Sequence, residues 1–356
     1  MATVIRQLAR LTRRVPAAGP HGVAIGVYAN DEDRGIAARD QGFEGVACVD
    51  DAARAVVLLL DLYRDTGDRR LGEWATGLVD FVLYMQRDDG RFHNFIRDWD
   101  GTINTDGPTS YAGGTFWQAR AVRALAKAHL VLRDPRVAVP LARGFAFATE
   151  NPAPPDVRTI QVLAALDLMR VGLTPVLRET LERWCDEIAA CREGDVLLNA
   201  PGVPTPHLWG HVHEGVLAEA APLLDRPDLV EIARQSAYAL LAPQIERAFP
   251  DRLVQPYGVA AAVYAMDRLY QATGEAAYAR WRAQARAWFD GRNTAAQPVY
   301  DRVNGRVHDG IDDGRLNPHS GAESNIVGAQ ALLPDVAARI GDLLDEVADR
   351  LEVVAA

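Results

Sequence analysis

The chain has 356 residues, 49% of them hydrophobic, and a formal net charge of −10. That is enough apolar content for one large core, and the surface has the wrong sign for nucleic acid or an anionic membrane. A neutral, polyhydroxylated ligand suits this balance better. Three cysteines, Cys48, Cys185 and Cys191, make no paired framework, so a reducing cytoplasm is the expected compartment.

The N-terminal stretch Met1 to Val15 alternates basic and apolar residues without the continuous apolar run of a signal peptide. It is predicted to be an amphipathic helix (1–15) on the body of a single domain covering residues 1–356. No stretch approaches ~20 uninterrupted apolar residues, so no membrane span is expected.

The chain then says one thing twice. Leu62-Tyr63-Arg64-Asp65-Thr66-Gly67-Asp68, followed by Trp74, recurs as Leu269-Tyr270-Gln271-Ala272-Thr273-Gly274-Glu275, followed by Trp281. Each copy reads as apolar-periodic helix, Thr-Gly turn and second helix, an αα-hairpin used as a repeating unit. Further hairpins follow the same logic, giving six pairs. They run from Asp50 to Gln86, from Gly114 past a break at Asp134-Pro135, and from Pro155 to Ala190. The rest run from Pro206 to Ile245, from Gln255 to Phe289, and from Ser320 to near Leu351. Breaks within pairs are short, while connections between pairs are longer and rich in Gly, Asp, Asn and aromatic residues. Six hairpins with that asymmetry predict an all-α (α/α)6 toroid with its functional loops at one end; an open solenoid is the alternative.

In such a toroid the first helix of each pair starts at the functional end. The first start carries Asp50 and Asp51, of which one suffices as an N-cap and the other is free to face a cleft. The loop after the first pair, Arg91-Phe92-His93-Asn94-Phe95, reads as a short extended segment, and Asp106 stands before the second pair. The fourth start carries His207, Trp209, His211, His213 and Glu214. His207 and His211 have i, i+4 metal spacing, but no ligand set completes a zinc site, so no metal is expected. The last start reads His319-Ser320-Gly321-Ala322-Glu323, in which Ser320 and Glu323 have capping-box spacing. The acidic residues before it, Asp309, Asp312 and Asp313, read as a solvated loop or a calcium site. No Gly-x-Ser-x-Gly elbow, P-loop or dinucleotide fingerprint is present, so neither a serine nucleophile nor a cofactor is expected.

At these residues the chain resembles the six-hairpin toroid proteins of carbohydrate-active enzymes. Most of all it resembles a bacterial toroid domain found alone or beside glycosyltransferase domains. The matching motifs are Val49-Asp50-Asp51-Ala52-Ala53-Arg54-Ala55, Asp89-Gly90-Arg91-Phe92-His93-Asn94-Phe95 and Ser320-Gly321-Ala322-Glu323-Ser324. The chain departs from that pattern at Ala52, where Asn is usual, and at Tyr111-Ala112-Gly113-Gly114, where an acidic-Ser-His run is usual. The resemblance implies a saccharide ligand.

Together these readings predict a glycoside hydrolase with Asp51 and Glu323 as acid and base and Asp50 and Asp106 in reserve. Tyr111, Trp117, Trp209 and Tyr257 are the expected apolar platforms for sugar rings. Arg54, His93, His213, Glu214, Gln255 and His319 are the expected partners of hydroxyls. The rival readings are an epimerase or isomerase using His213 and His319, a non-catalytic saccharide-binding module, and a natural-product tailoring enzyme.

Overall fold

The computed structural model describes residues 5–32, 34–172, 174–338 and 340–348. Its helices, in chain order, are α1 (Ile5–Leu11), α2 (Val49–Thr66), α3 (Arg69–Tyr84), α4 (Thr115–Val131), α5 (Ala138–Glu150), α6 (Pro155–Val171), α7 (Pro175–Ala190) and α8 (His213–Leu224). There follow α9 (Pro227–Ser236), α10 (Ala242–Glu246), α11 (Pro256–Thr273), α12 (Ala276–Ala287), α13 (Ala322–Ala331), α14 (Leu333–Ala337) and α15 (Ile340–Glu346). The strands are two or three residues long and form small antiparallel ribbons. No described helix is long and apolar enough to cross a membrane.

Two compact units emerge. The first comprises Met1–Pro152, Asp301–Val307 and Pro318–Ala356, and the second Ala153–Tyr300 and His308–Asn317. In the first unit α2 packs between α3 and α4 and also meets α13. Its buried stripe includes Val49, Ala53, Val56, Leu60 and Leu62, set against Leu71, Trp74, Leu78 and Phe81 of α3. Burying such side chains stabilises by roughly 1.5–3 kcal/mol each. In the second unit α11 packs against α8 and α12, and α6 against α7.

The Thr-Gly repeat has one physical cause in both copies. Gly67 and Gly274 take left-handed backbone conformations, with φ of 74° and 70°, and close their helices by donating to Tyr63 and Tyr270 carbonyls. The preceding Thr66 and Thr273 hydroxyls donate to Leu62 and Leu269 carbonyls and accept from the Asp68 and Glu275 amides. The turn therefore satisfies its own backbone while reversing the chain.

Three elements differ from the sequence reading. The N-terminal helix ends at Leu11, and Thr12–Arg14 instead pairs with Val23–Ile25; residues 1–4 lie outside the described residues. The fourth hairpin starts at His213 rather than Pro206, because residues 206–212 are held by turns. Its second half passes from α9 through a π-helical segment, Ala237–Leu241, into α10. The last hairpin is cut short as α13, α14 and α15, and its expected end near Leu351 lies outside the described residues.

Candidate functional site

The sequence offers Asp50 or Asp51 as the cap of α2, but Cys48 takes that role. Its Sγ accepts the Asp51 amide at 3.5 Å, and the thiol donates to Asp51 Oδ2 at 3.4 Å. Asn94 completes the start of the helix: its carbonyl accepts from Val49 N and its Oδ1 from Asp50 N. Asn94 is placed by the ribbon that pairs Ala47–Cys48 with Phe95–Ile96. Both carboxylates are thereby released from capping.

They are spent on arginines. Arg120 Nη1 of α4 reaches both oxygens of Asp50 at 2.5 Å, and Arg54 Nη1 reaches Asp50 at 3.0 Å and Asp51 at 3.1 Å. Arg54 Nη2 reaches Glu323 Oε1, on α13, at 2.5 Å. One guanidinium thus joins the two carboxyls picked out as acid and base. Side-chain exposure falls from 28% at Glu323 through 19% at Asp50 and 11% at Arg54 to 4% at Asp51.

The electrostatics follow from counting. Burial pushes every carboxyl upward. At Asp50, Arg120 and Arg54 outweigh burial and hold the carboxyl below its usual range. At Asp51 burial wins: Arg54 offsets part of it, but Glu323 and Asp50 add to it, and the carboxyl is raised to about 7. Arg54 stays charged because Asp50, Glu323 and Asp51 outweigh its own burial. Arg120 is the residue that sequence reading missed. Its signal was an arginine inside the apolar run Ala119-Arg120-Ala121-Val122, where an unpaired charge is not tolerated.

Glu323 is not part of a capping box. Gly321 is the cap residue of α13 and has no side chain, while Ser320 Oγ donates to the Val307 carbonyl at 2.9 Å and accepts from Asn325 Nδ2 at 2.9 Å. This long-range pairing fixes the loop that precedes α13 and leaves Glu323 for Arg54.

The remaining residues of the first unit are more scattered. Asp106 is 85% exposed and stands 3.9 Å from Arg97, so it does not join Asp50 and Asp51 on Arg54 or Arg120. His93 is buried against the Ser110 carbonyl at 3.2 Å. Trp117 donates from Nε1 to the Phe92 carbonyl and carries Tyr111 edge-on at 5.2 Å, with Tyr111 47% exposed. His319 is half-buried before Ser320.

The second unit builds a buried polar knot at the start of α8. His211 Nε2 meets Glu214 Oε1 at 3.0 Å, Ser236 Oγ donates to the same oxygen at 2.6 Å, and His211 Nδ1 faces Asn199 Oδ1 at 3.4 Å. His213 stacks on His211 at 4.2 Å and is fully buried, and neither of its nitrogens makes a hydrogen bond of ordinary geometry. Burial and the neighbouring His211 and His207 push His213 well below the usual histidine range. Glu214 is held low despite burial, chiefly by His211 and Ser236. Trp209 lies edge-on to Tyr257 at 6.4 Å, and Gln255 is the half-buried residue preceding α11.

His207, the other half of the candidate metal pair, is exposed with Nδ1 against the Trp209 carbonyl. In the acidic loop, Asp313 pairs with Arg252 and Asp312 accepts from Asn317. Among the described residues no three His, Cys, Asp or Glu side chains group as metal ligands.

No protein-family model matches the chain, and no curated protein sequence does. Solved structures do match. A sugar epimerase from a ruminal bacterium is similar over 95% of this chain and 96% of its own, with 13% identity and a TM-score of 0.72. A cellobiose 2-epimerase from Bacillus thermoamylovorans covers 94% and 96%, with 10% identity and a TM-score of 0.73. A family 76 glycoside hydrolase from a bovine Bacteroides thetaiotaomicron strain covers 93% and 76%, with 9% identity and a TM-score of 0.63. The fold is the all-α (α/α)6 toroid of these structures.

Proposed function

We propose that the protein is a sugar-active enzyme, a glycoside hydrolase in which Asp51 donates the proton and Glu323 is the second carboxylate. The observation that carries this is the head of α2, where three carboxyls share two guanidiniums. Arg120 and Arg54 balance two negative charges, and the third carboxyl, Asp51, keeps its proton near neutral pH. Glycosidic cleavage needs one carboxyl to protonate the leaving oxygen and another to activate water or attack the anomeric carbon. Asp51, raised to about 7, has the affinity for a proton that the first role requires. Glu323, the more exposed of the two, suits the second. Backbone likeness to a glycoside hydrolase supports the same reading.

The second reading is a sugar epimerase or isomerase. It is favoured by likeness to sugar epimerases over nearly the whole chain, and it would use His213 and His319 as the proton carriers.

A proton NMR time course in D2O with a panel of oligosaccharides separates the two. Hydrolysis yields new reducing-end signals that vanish in Asp51→Asn and Glu323→Gln. An epimer carrying deuterium at the inverted carbon, or turnover that survives both substitutions, contradicts the hydrolase reading.

A further inference from the structure

Cysteine is an uncommon helix cap, and the head of α2 uses its chemistry. In a capping box the cap side chain accepts the amide of the third helical residue, whose carboxyl reaches back to the cap amide. Cys48 and Asp51 stand at that spacing with one bond exchanged. Sγ accepts the Asp51 amide at 3.5 Å, but the carboxyl takes the thiol, Sγ to Oδ2 at 3.4 Å, while the Cys48 backbone belongs to the ribbon with Phe95. The other oxygen, Oδ1, is held by Arg54 Nη1 at 3.1 Å. Both side chains are buried.

A proton arriving at Asp51 therefore has one place to sit. Oδ1 already accepts from a guanidinium, so the proton goes to Oδ2, whose hydrogen-bonded neighbour is Sγ. The thiol hydrogen then turns away, and sulfur accepts from Oδ2–H as it does from the amide. Turning it away strands little, because S–H is a weak donor; a buried hydroxyl in the same position would forfeit a strong one. The charged groups facing Asp51 are Arg54 and Asp50 of its own helix and Glu323 of α13, with Arg120 of α4 acting through Asp50. Arginine only donates and an ionised carboxylate only accepts, whereas the thiol does both.

We propose that Cys48 is a positioning residue for the proton of Asp51, its thiol donating to Oδ2 when the carboxyl is ionised and accepting from Oδ2–H when it is protonated. Sulfur keeps its own hydrogen in both states, and no proton passes through it. In treating that proton as catalytic the proposal rests on the hydrolase reading. A serine cap would favour the carboxylate through its stronger O–H···O⁻ bond, and an aspartate cap would add a fourth carboxyl to the cluster.

The test is 13C NMR titration of the Asp51 carboxyl in the full chain as wild type, Cys48→Ser and Cys48→Ala, with infrared absorption of the S–H stretch over the same pH range. Cys48→Ser keeps the cap and should lower the Asp51 midpoint by about one pH unit. Cys48→Ala removes the thiol donor and should raise it. The S–H band that disappears in Cys48→Ala should, in wild type, move toward weaker hydrogen bonding with the midpoint of Asp51. Coincident midpoints for cysteine and serine, which capping alone predicts, or an S–H band indifferent to Asp51, overturn the proposal. Titration requires no turnover, so the two failures are distinguishable. If Asp51→Asn keeps activity while the midpoints split in this order, the hydrolase reading falls and the role of Cys48 stands; if Asp51→Asn is inactive and the midpoints coincide, the reverse holds.

Discussion

Arg54 reaches Glu323 at 2.5 Å with one guanidinium nitrogen while the other holds Asp51 and Asp50. The head of α2 and the first turn of α13 are therefore tied by a charge that serves three carboxyls at once.

Removing that charge is costly. Arg54→Met leaves three partly buried carboxyls with Arg120 alone, and breaking a buried pair costs about 3–5 kcal/mol. Urea denaturation of wild type and variant should show a loss of that order at pH 8. The deficit should shrink at pH 4, where protonation relieves the repulsion. A loss independent of pH would assign Arg54 a packing role only.

Asp51 makes stability depend on pH with a definite sign. Its carboxyl is raised to about 7 in the folded chain, against roughly 3.9 unfolded. Between these values the native state holds a proton that the unfolded state has released, so stability falls as pH rises from about 4 through about 7. The gap corresponds to about 4 kcal/mol. Asp51→Asn should therefore gain on wild type by up to that amount between pH 4 and pH 8. Asp50, held low by Arg120 and Arg54 against its burial, works oppositely: its contribution is present above the unfolded value and is lost as pH falls through the folded one.

Cys48 is a cap and not a nucleophile. Burial, with Asp51 and Asp50 beside it, pushes its thiol well above the ordinary range, and burial pushes Cys185 up to about 12. Cys191, half-buried, should react first with a thiol reagent in the native protein, and Cys48 and Cys185 only on unfolding. Cys48→Ala should cost about 1 kcal/mol and Cys48→Ser less, because serine is a good N-cap. Thermal denaturation of the two variants checks the order.

Gly45 admits the ribbon strand beside it. A Cβ there would stand 2.1 Å from the Ile96 carbonyl oxygen. Gly45→Ala should therefore push the Ala47–Cys48 ribbon away, destabilise by about 1–3 kcal/mol and lower activity by disturbing Asp50 and Asp51. Activity at a temperature where the variant is fully folded distinguishes this from simple unfolding.

His213 separates the two enzymatic readings. Under carboxyl catalysis His213→Asn should leave turnover within about tenfold of wild type, whereas under imidazole catalysis it should abolish turnover. Initial rates of the folded variant decide between them.

The hairpins were legible because their turns are local chemistry. Thr66-Gly67 and Thr273-Gly274 close their own helices, and Pro155, Pro175 and Pro256 each stand in the first turn of a helix. The start of α8 was not legible. Its cap residue Val212 makes no side-chain cap, and His211 and Glu214 are tied instead by Ser236 and Asn199 from distant segments. The site was half legible for the same reason. Asp50, Asp51, Arg54 and Glu323 stood out at helix starts, but the partner that frees Asp51 to hold a proton is Arg120, on another helix. A cysteine cap in place of an aspartate, and Ser320 bonded to Val307 rather than to its own helix, are choices set by tertiary contacts.

The central claim is that Asp51 carries a proton near neutral pH. Titration of the Asp side-chain carboxyl carbons by 13C NMR, with Asp51 assigned from the Asp51→Asn spectrum, measures it directly. A midpoint near 7 is the expected result. A midpoint near the ordinary aspartate value would mean that the cluster holds no spare proton, and the acid role of Asp51 would be lost with it.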